Sequence, residues 1–265
     1  MDCSSPYAMA GLLAYKDRYD LAGGNDPDYD RHGIVTPDGL MNPNHYLAVA
    51  IDYLCKSREW AADVAIGKTL VSSQMIDRVV EDNQRKVYEV PVGFKWFAQQ
   101  LRDGDIGFAG EESAGATLLD RQGDVWTTDK DGIVMVLLAA ELQAATGESP
   151  SAYYKKLCAQ HGEAFYQRVD TTSSLEQNAR FKDIRAYKLK LTTLAESNVV
   201  DIFTKAPGND AQFGGVKVVL EDGWFAARPS GTEPVYKIYA ESFKSAAHLE
   251  QIIAEARDWV AELIQ

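Results

Sequence analysis

Short apolar runs alternate with helix-like segments through the first 160 residues of the chain. The apolar runs predict three short strands, at residues 64–66, 86–90 and 106–109. Helices are expected around them, and their predicted ranges are 42–55, 72–80, 93–101, 129–145 and 151–160. Because strands that alternate with helices usually pair in parallel, this pattern predicts a parallel α/β layer.

The pattern differs at the two ends of the chain. Apolar spacing over residues 7–19 predicts a short amphipathic helix, and residues 33–36 read as a strand. Residues 163–210 predict a less regular, polar connection. The remainder predicts an α+β unit, and its elements are strands 216–220, 224–227 and 235–240, a hairpin turn at 221–223 and an amphipathic helix at 246–263.

Composition and charge narrow the class of protein. Of the 265 residues, 46% are hydrophobic and 25% charged, which is ordinary for a soluble globular protein. The net charge of −12 argues against nucleic acid or an anionic membrane as the main partner. The three cysteines lack metal-ligand spacing, and we see no signal peptide and no apolar run long enough to span a membrane. We therefore expect a cytoplasmic protein with reduced thiols.

Three aspartates alternate with other residues near the start of the chain. Extended backbone would place Asp26, Asp28 and Asp30 on one side, and ligation by oxygen alone suits Mg²⁺ better than zinc. An EF-hand is excluded because Arg31 and Pro37 stand where that loop needs Gly and Glu. An Asx-rich turn without a metal remains the alternative.

Two adjacent carboxylates and a hydroxyl follow the third apolar run. In an extended loop Glu111 and Ser113 would point the same way and could bind neighbouring hydroxyls of a sugar. Glycines on both sides, Gly110 and Gly115, would let a ligand approach the backbone. The alternative is an acidic surface turn.

Two further segments carry cationic groups. The run Arg228-Pro229-Ser230-Gly231-Thr232 leaves a predicted strand and offers a guanidinium and an anion nest to a phosphate, or else it is a plain connecting turn. Lys130 precedes the long helix, where we expect Asp129 or Thr128 to act as the cap. A lysine between two aspartates is otherwise an ordinary surface ion pair.

These loops, in this order, resemble the C-terminal part of the α-D-phosphohexomutase family, most closely its bacterial phosphoglucomutase branch. The resemblance covers essentially the whole chain. It implies parallel-sheet α/β structure followed by a smaller α+β C-terminal domain. The implied division is residues 1–40 as the tail of the family's second domain with the metal loop, 41–165 as a sugar-binding α/β domain, and 166–265 as a linker and phosphate-binding domain.

The resemblance also implies roles for individual residues. The metal would be Mg²⁺, held by Asp26, Asp28 and Asp30 with a phosphoserine oxygen as fourth ligand. Catalytic positions would be Arg31, Lys95 and Lys130. The sugar and its phosphate would be bound by Glu111, Ser113, Arg228, Ser230, Gly231, Thr232 and Lys237.

The nucleophile of the family is missing from this sequence. Family members carry a serine in a Thr-Ala-Ser-His-Asn-Pro-like stretch, and no Ser-His dipeptide occurs in these 265 residues. The first residues resemble an internal segment, so we expect a fragment that is inactive alone and whose partner could be the missing N-terminal half. The full enzyme would interconvert glucose 1-phosphate and glucose 6-phosphate through glucose 1,6-bisphosphate. A non-catalytic sugar-phosphate-binding module and a metal-dependent phosphatase remain alternatives.

Overall fold

The chain begins with one helical turn and a small antiparallel sheet. Helix α1 (Ala10–Leu13) is followed by β1 (Ala22–Asn25), β2 (His32–Thr36) and β3 (Gly39–Leu40), in the order β1-β2-β3. The predicted helix over residues 7–19 is wrong in length. Leu12 and Leu13 are only partly covered, so no packed apolar face extends the helix beyond one turn.

An α/β layer follows. Its elements are α2 (Pro43–Ser57), β4 (Ala65–Thr69), α3 (Met75–Asp82), β5 (Val87–Val90), a 3₁₀ turn (Phe94–Trp96), α4 (Ala98–Asp103), β6 (Ile106–Gly110), β7 (Ala116–Leu118), α5 (Gly132–Thr146) and α6 (Pro150–His161). The sheet order is β5-β4-β6-β7. Strand β4 pairs in parallel with β5 and β6, as predicted, while β7 runs antiparallel to β6.

Helix starts in this layer follow local capping rules. Asn42 accepts a hydrogen bond from the Asn44 amide at 2.9 Å, and Pro43 occupies the first helical position of α2. The cap of α5 is Asp131, whose carboxylate accepts from the Val134 amide at 3.0 Å. The prediction that Asp129 or Thr128 caps α5 is therefore wrong, because the helix begins two to three residues later than expected.

A six-stranded antiparallel sheet and two helices form the rest of the chain. In chain order these elements are β8 (Phe165–Thr172), α7 (Leu175–Lys182), β9 (Thr193–Leu194), β10 (Ser197–Lys205), β11 (Gln212–Leu220), β12 (Gly223–Pro229), β13 (Val235–Ser242) and α8 (Ala246–Leu263). The strand order is β8-β13-β12-β11-β10-β9. Helix α8 packs on one face, where Phe225, Ile238, Ile252 and Ala256 are fully buried. The predicted β11–β12 hairpin and the range of α8 are confirmed.

The predicted irregular connection over residues 163–210 is wrong. Strands β8 and β10 lie there and pair with β13 and β11 over most of their length. Many of their side chains are exposed or half-buried, so the apolar alternation that marks a covered strand is weak in this part of the sequence.

The computed structural model describes residues 2–182, 184–186, 189–230 and 233–265 and divides into two compact units, Met1–Gly162 and Glu163–Gln265. Gly231 and Thr232, which the sequence assigned to phosphate binding, lie outside the described residues. Within those ranges, no helix is long and apolar enough to span a membrane.

Candidate functional site

The loop between β1 and β2 brings three carboxylates together. One oxygen each from Asp26, Asp28 and Asp30 lies within 4.8 Å of the others. The loop is a tight turn and not the extended segment we predicted, since the Tyr29 amide bonds the Asp26 carbonyl at 3.0 Å and Tyr29 has a φ of 60°. The carboxylates converge because the chain turns, not because alternate residues share one side of a strand.

Arg31 holds the buried member of this group. Its backbone amide donates to Asp26 Oδ1 at 3.0 Å, and its Nε donates to Asp26 Oδ2 at 2.7 Å. Burial opposes ionisation of Asp26, but the hydrogen bonds and charge of Arg31 outweigh it and lower the pKa of this carboxyl. Asp26 is therefore kept as a carboxylate.

Asp30 has an oxygen that fits a hard metal ion. Its Oδ2 lies 2.5 Å from Lys130 Nζ, while its Oδ1 is buried and has no hydrogen-bond partner. The nearest cation to Oδ1 is Arg31 Nε at 3.5 Å, an ion pair that leaves its lone pairs without a hydrogen bond, and Mg²⁺ takes such oxygens as ligands. The donor set of Asp26, Asp28 and Asp30 thus fits magnesium.

The turn from β6 to β7 carries the predicted sugar-binding residues. The prediction of an extended loop is wrong: Glu111 and Gly115 pair across the turn at 2.8 Å, the Ala114 amide bonds the Glu111 carbonyl at 3.0 Å, and Ala114 has a φ of 71°. The tight turn brings the Ser113 hydroxyl close enough to the Glu111 carboxylate to favour its ionised form.

Glu111 is a buried acceptor within this turn. Its Oε1 accepts a hydrogen bond from the Gly93 amide at 2.9 Å. Burial raises the pKa of Glu111, although the bonds from Gly93 and Ser113 and the nearby charge of Lys130 act in the opposite direction. Nothing in the sequence pattern signalled Gly93, since a backbone donor has no side-chain signature.

The β6–β7 turn, the acidic loop between β1 and β2, and Lys130 lie together in the first unit. Arg31 and Gly115 form an isolated β-bridge, and the Gly132 amide at the start of α5 donates to the Tyr29 carbonyl at 2.8 Å. The stem of Lys130 passes over Gly115, where a Cβ would lie only 2.3 Å from Lys130 Cδ. Lys130 pairs with Asp30, and this ion pair raises the pKa of the lysine despite its partial burial, which acts to lower it.

The group lies beside the carboxyl ends of the parallel strands. Gly110 ends β6 and Thr69 ends β4, and β5 and β6 flank β4 on opposite sides. Ligands of open α/β sheets bind outside the carboxyl ends of the strands at such a reversal of strand order. The position of the group is therefore one at which this architecture commonly builds a binding site.

Three further residues of the first unit differ in their surroundings. Lys95 is exposed, and its Nζ lies 5.1 Å from the centre of the Trp96 ring. Lys68 is fully buried and ion-paired with Asp77. His32 belongs to β2, and burial lowers its pKa to about 3.

A pair of cations faces one another in the second unit. Arg228 of β12 is directly opposite Lys237 of β13, and Lys237 is opposite Asp170 of β8. The Nε of Arg228 is buried without a hydrogen-bond partner. Like charges directly opposite are destabilising, and an anion between them would relieve both the repulsion and the unpaired donor. Beyond the strand, the Ser230 amide donates to the Val235 carbonyl at 2.8 Å.

Comparison with known proteins places the chain in a family. Residues 42–161 match the model of the phosphoglucomutase/phosphomannomutase alpha/beta/alpha domain III, and residues 176–258 match that of the C-terminal domain. A phosphoglucomutase of Komagataeibacter xylinus is 57% identical over 99% of this chain and 48% of its own length. A phosphoglucomutase of Staphylococcus aureus strain N315 is 26% identical over 88% of this chain and 46% of its own length.

The fold is also that of solved relatives. The structure of a phosphoglucomutase/phosphomannomutase family protein from Burkholderia thailandensis superposes with a TM-score of 0.72 and 20% identity, over 99% of this chain and 51% of the other. This chain spans about half the length of the curated relatives that it matches, as a C-terminal fragment would. The two domain matches, which follow one another along most of the sequence, establish that the chain belongs to the phosphoglucomutase/phosphomannomutase family.

Proposed function

We propose that this chain is the metal- and sugar-phosphate-binding part of a phosphoglucomutase. The full enzyme would interconvert glucose 1-phosphate and glucose 6-phosphate through a phosphoserine and glucose 1,6-bisphosphate. The observation that carries the proposal is the meeting of the three aspartates, Lys130 and Glu111 at one place in the first unit. Phosphoryl transfer depends on positioned positive charge, which Lys130 and a Mg²⁺ held by the aspartates would supply here.

Each residue has a role in this proposal. Asp26, Asp28 and Asp30 would hold Mg²⁺, which neutralises phosphoryl charge when bound. Arg31 keeps Asp26 ionised, and Lys130 places an ammonium group beside the metal loop, where it would stabilise charge on phosphoryl oxygens or carry a proton.

Further groups would bind the sugar and a phosphate. The Glu111 carboxylate would accept hydrogen bonds from sugar hydroxyls, Ser113 would contribute its hydroxyl beside it, and Lys95 would add charge near the ligand. Arg228, Lys237 and the loop that begins at Ser230 would form an anion site in the second unit. The nucleophilic serine would come from the other half that the relatives possess.

Calorimetric titration tests the binding part of the proposal. Glucose 1-phosphate is titrated into the chain with and without Mg²⁺, and we expect a Kd between micromolar and millimolar; about 1 mM corresponds to about 4 kcal/mol. Arg228→Ala should weaken binding at least about tenfold because it removes a charge-assisted donor. The matched control is Arg257→Ala, which removes an exposed arginine of α8. Equal binding by the Arg228 variant and the wild type would refute the assigned anion site.

Activity assays separate the proposal from its alternatives. We expect no interconversion of the two glucose phosphates by this chain alone. Release of inorganic phosphate from glucose 1-phosphate, dependent on Mg²⁺ and lost in Asp26→Asn, would instead favour a metal-dependent phosphatase. Mutase turnover that appears when the other half of a relative is added would distinguish an enzyme fragment from a binding module.

A further inference from the structure

A second carboxylate in the β6–β7 turn makes a contact outside its own hairpin. Glu112 Oε2 accepts a hydrogen bond from Thr69 Oγ1 at 2.9 Å. Thr69 is fully buried and is the last residue of β4, the central parallel strand. The residue next to the sugar-binding candidate Glu111 is therefore attached to the centre of the sheet.

The hydrogen bond has a defined direction. A carboxylate only accepts, so the single hydrogen of the Thr69 hydroxyl must go to Glu112. The Ser72 hydroxyl lies 2.9 Å from Thr69 Oγ1 and must then be the donor to it. Ser72, Thr69 and Glu112 thus form a one-way chain in which each bond polarises the next, and the buried position of Thr69 strengthens it.

The turn is attached to the sheet at two separate points. Glu112 is bound to the end of β4 through Thr69, while Glu111 is bound to the Gly93 amide, which follows β5. The turn itself contains a non-glycine residue, Ala114, with a φ of 71°. Such a conformation persists only where surrounding contacts hold it.

We propose that Thr69 is a positioning residue for recognition of the sugar. Through Glu112 it fixes the turn so that Glu111 and Ser113 are presented to sugar hydroxyls in one orientation. The inference rests on the proposed function, since it concerns how that same site reads its ligand. Hydrogen bonding to a hydroxyl requires placement within a fraction of an ångström, so a loosened turn loses discrimination between sugars that differ at one hydroxyl.

The test compares variants that differ by one hydroxyl. Thr69→Val keeps the shape of the side chain and removes the donor, whereas Thr69→Ser keeps the donor. Affinities for glucose 1-phosphate, galactose 1-phosphate and inorganic phosphate are measured by calorimetry. We expect Thr69→Val to weaken glucose 1-phosphate binding about tenfold and to bring the ratio of the affinities for the two sugar phosphates close to one. The affinity for inorganic phosphate should stay unchanged. Thr69→Ser should behave like the wild type.

A second pair of variants guards against a folding defect at the buried threonine. Glu112→Met removes the acceptor from the partly exposed end of the contact, and Glu112→Gln retains an oxygen acceptor. The first should reproduce the effect of Thr69→Val and the second should not. Equal loss in Thr69→Ser and Thr69→Val, or equal loss of phosphate and sugar-phosphate binding, would overturn the proposal.

Amide hydrogen exchange tests the positioning role without any ligand. The amides of Glu111 and Ala114 are bonded within the turn and should exchange about tenfold faster in Thr69→Val but not in Thr69→Ser. Unchanged exchange in Thr69→Val would overturn the inference. Faster exchange in Thr69→Val, in a chain whose wild type binds no sugar phosphate, would overturn the proposed function and reduce Thr69 to a residue that holds the turn.

Discussion

At the scale of single residues, Glu111 shows how burial and neighbouring groups compete. The residue is 6% exposed, and this burial favours the neutral carboxyl, while the Gly93 amide, Ser113 and Lys130 favour the ionised form. Burial prevails, and the pKa of Glu111 is raised. A carboxyl of this kind is ionised at a cost to stability, as expected of a group kept for ligand binding.

The raised pKa predicts a pH-dependent effect of Glu111→Gln. A carboxyl with a folded pKa above its unfolded value, about 4.3 for glutamate, contributes stability that is fully present below that value and is lost as the pH rises through the folded pKa. The free energy of unfolding of Glu111→Gln, relative to that of the wild type, should therefore increase as the pH rises from about 4 to neutral. Urea unfolding of both proteins across this range measures the difference.

The control for this prediction is Glu250→Gln, which removes an exposed carboxyl from α8. The difference between the two substitutions at each pH isolates the effect of burial at Glu111. A difference between Glu111→Gln and the wild type that stays constant from pH 4 to pH 8 would contradict the raised pKa.

At the scale of elements, the residues that begin α5 both cap the helix and contact the acidic loop. Asp131 caps the helix through Val134, and its other oxygen accepts from Trp126 Nε1 at 2.8 Å. The residue before it is Lys130, and the one after it, Gly132, bonds the carbonyl of Tyr29 in the acidic loop. The helix start therefore sets where the lysine leaves the backbone.

Replacement of the cap should destabilise the helix and displace the lysine. We expect Asp131→Ala to lower the free energy of unfolding by about 1 kcal/mol, since a lost N-cap typically costs that much. Asp131→Asn retains an acceptor for the Val134 amide and should cost only a few tenths of that amount. Denaturant unfolding monitored by circular dichroism measures both variants, and equal stability of the alanine and asparagine variants would argue against capping by Asp131.

Elements differ in how well the sequence predicts them. The range of α8 and the β11–β12 hairpin are predicted from periodicity and turn residues because both signals are local. Residues 163–210 were predicted wrongly because β8 and β10 are stabilised by pairing with β13 and β11, which lie far away in sequence. Backbone hydrogen bonds between strands do not depend on side-chain type, so strands with half-exposed side chains lack the apolar alternation that predicts a strand.

At the scale of the whole molecule, each unit has its own hydrophobic core. In the second unit the core lies between the six-stranded sheet and helices α7 and α8, with Phe181, Phe225 and Ile252 fully buried. In the first unit buried side chains of α2, β4 and β6 form the interior, with Leu47, Ile66 and Phe108 at zero exposure. A unit with a core of its own can fold independently.

We therefore expect residues 163–265 to fold when expressed alone. The fragment should unfold cooperatively in urea and show dispersed amide signals in NMR spectra. The matched control begins at residue 173 and lacks β8, which pairs with all eight residues of β13. It should lose much of its stability, because β13 becomes an exposed edge. Non-cooperative unfolding of the longer fragment would contradict an independent core.

The sequence by itself determined the α/β alternation, the C-terminal helix, the family resemblance and the kinds of chemical group in each loop. These depend on periodicity and residue type, which are local properties. Only the tertiary structure decided that Lys130 pairs with Asp30, that Glu111 is bound to Gly93 and that Arg228 faces Lys237. Such contacts join residues distant in sequence, and their geometry follows from strand order and tight turns, which side-chain spacing does not encode.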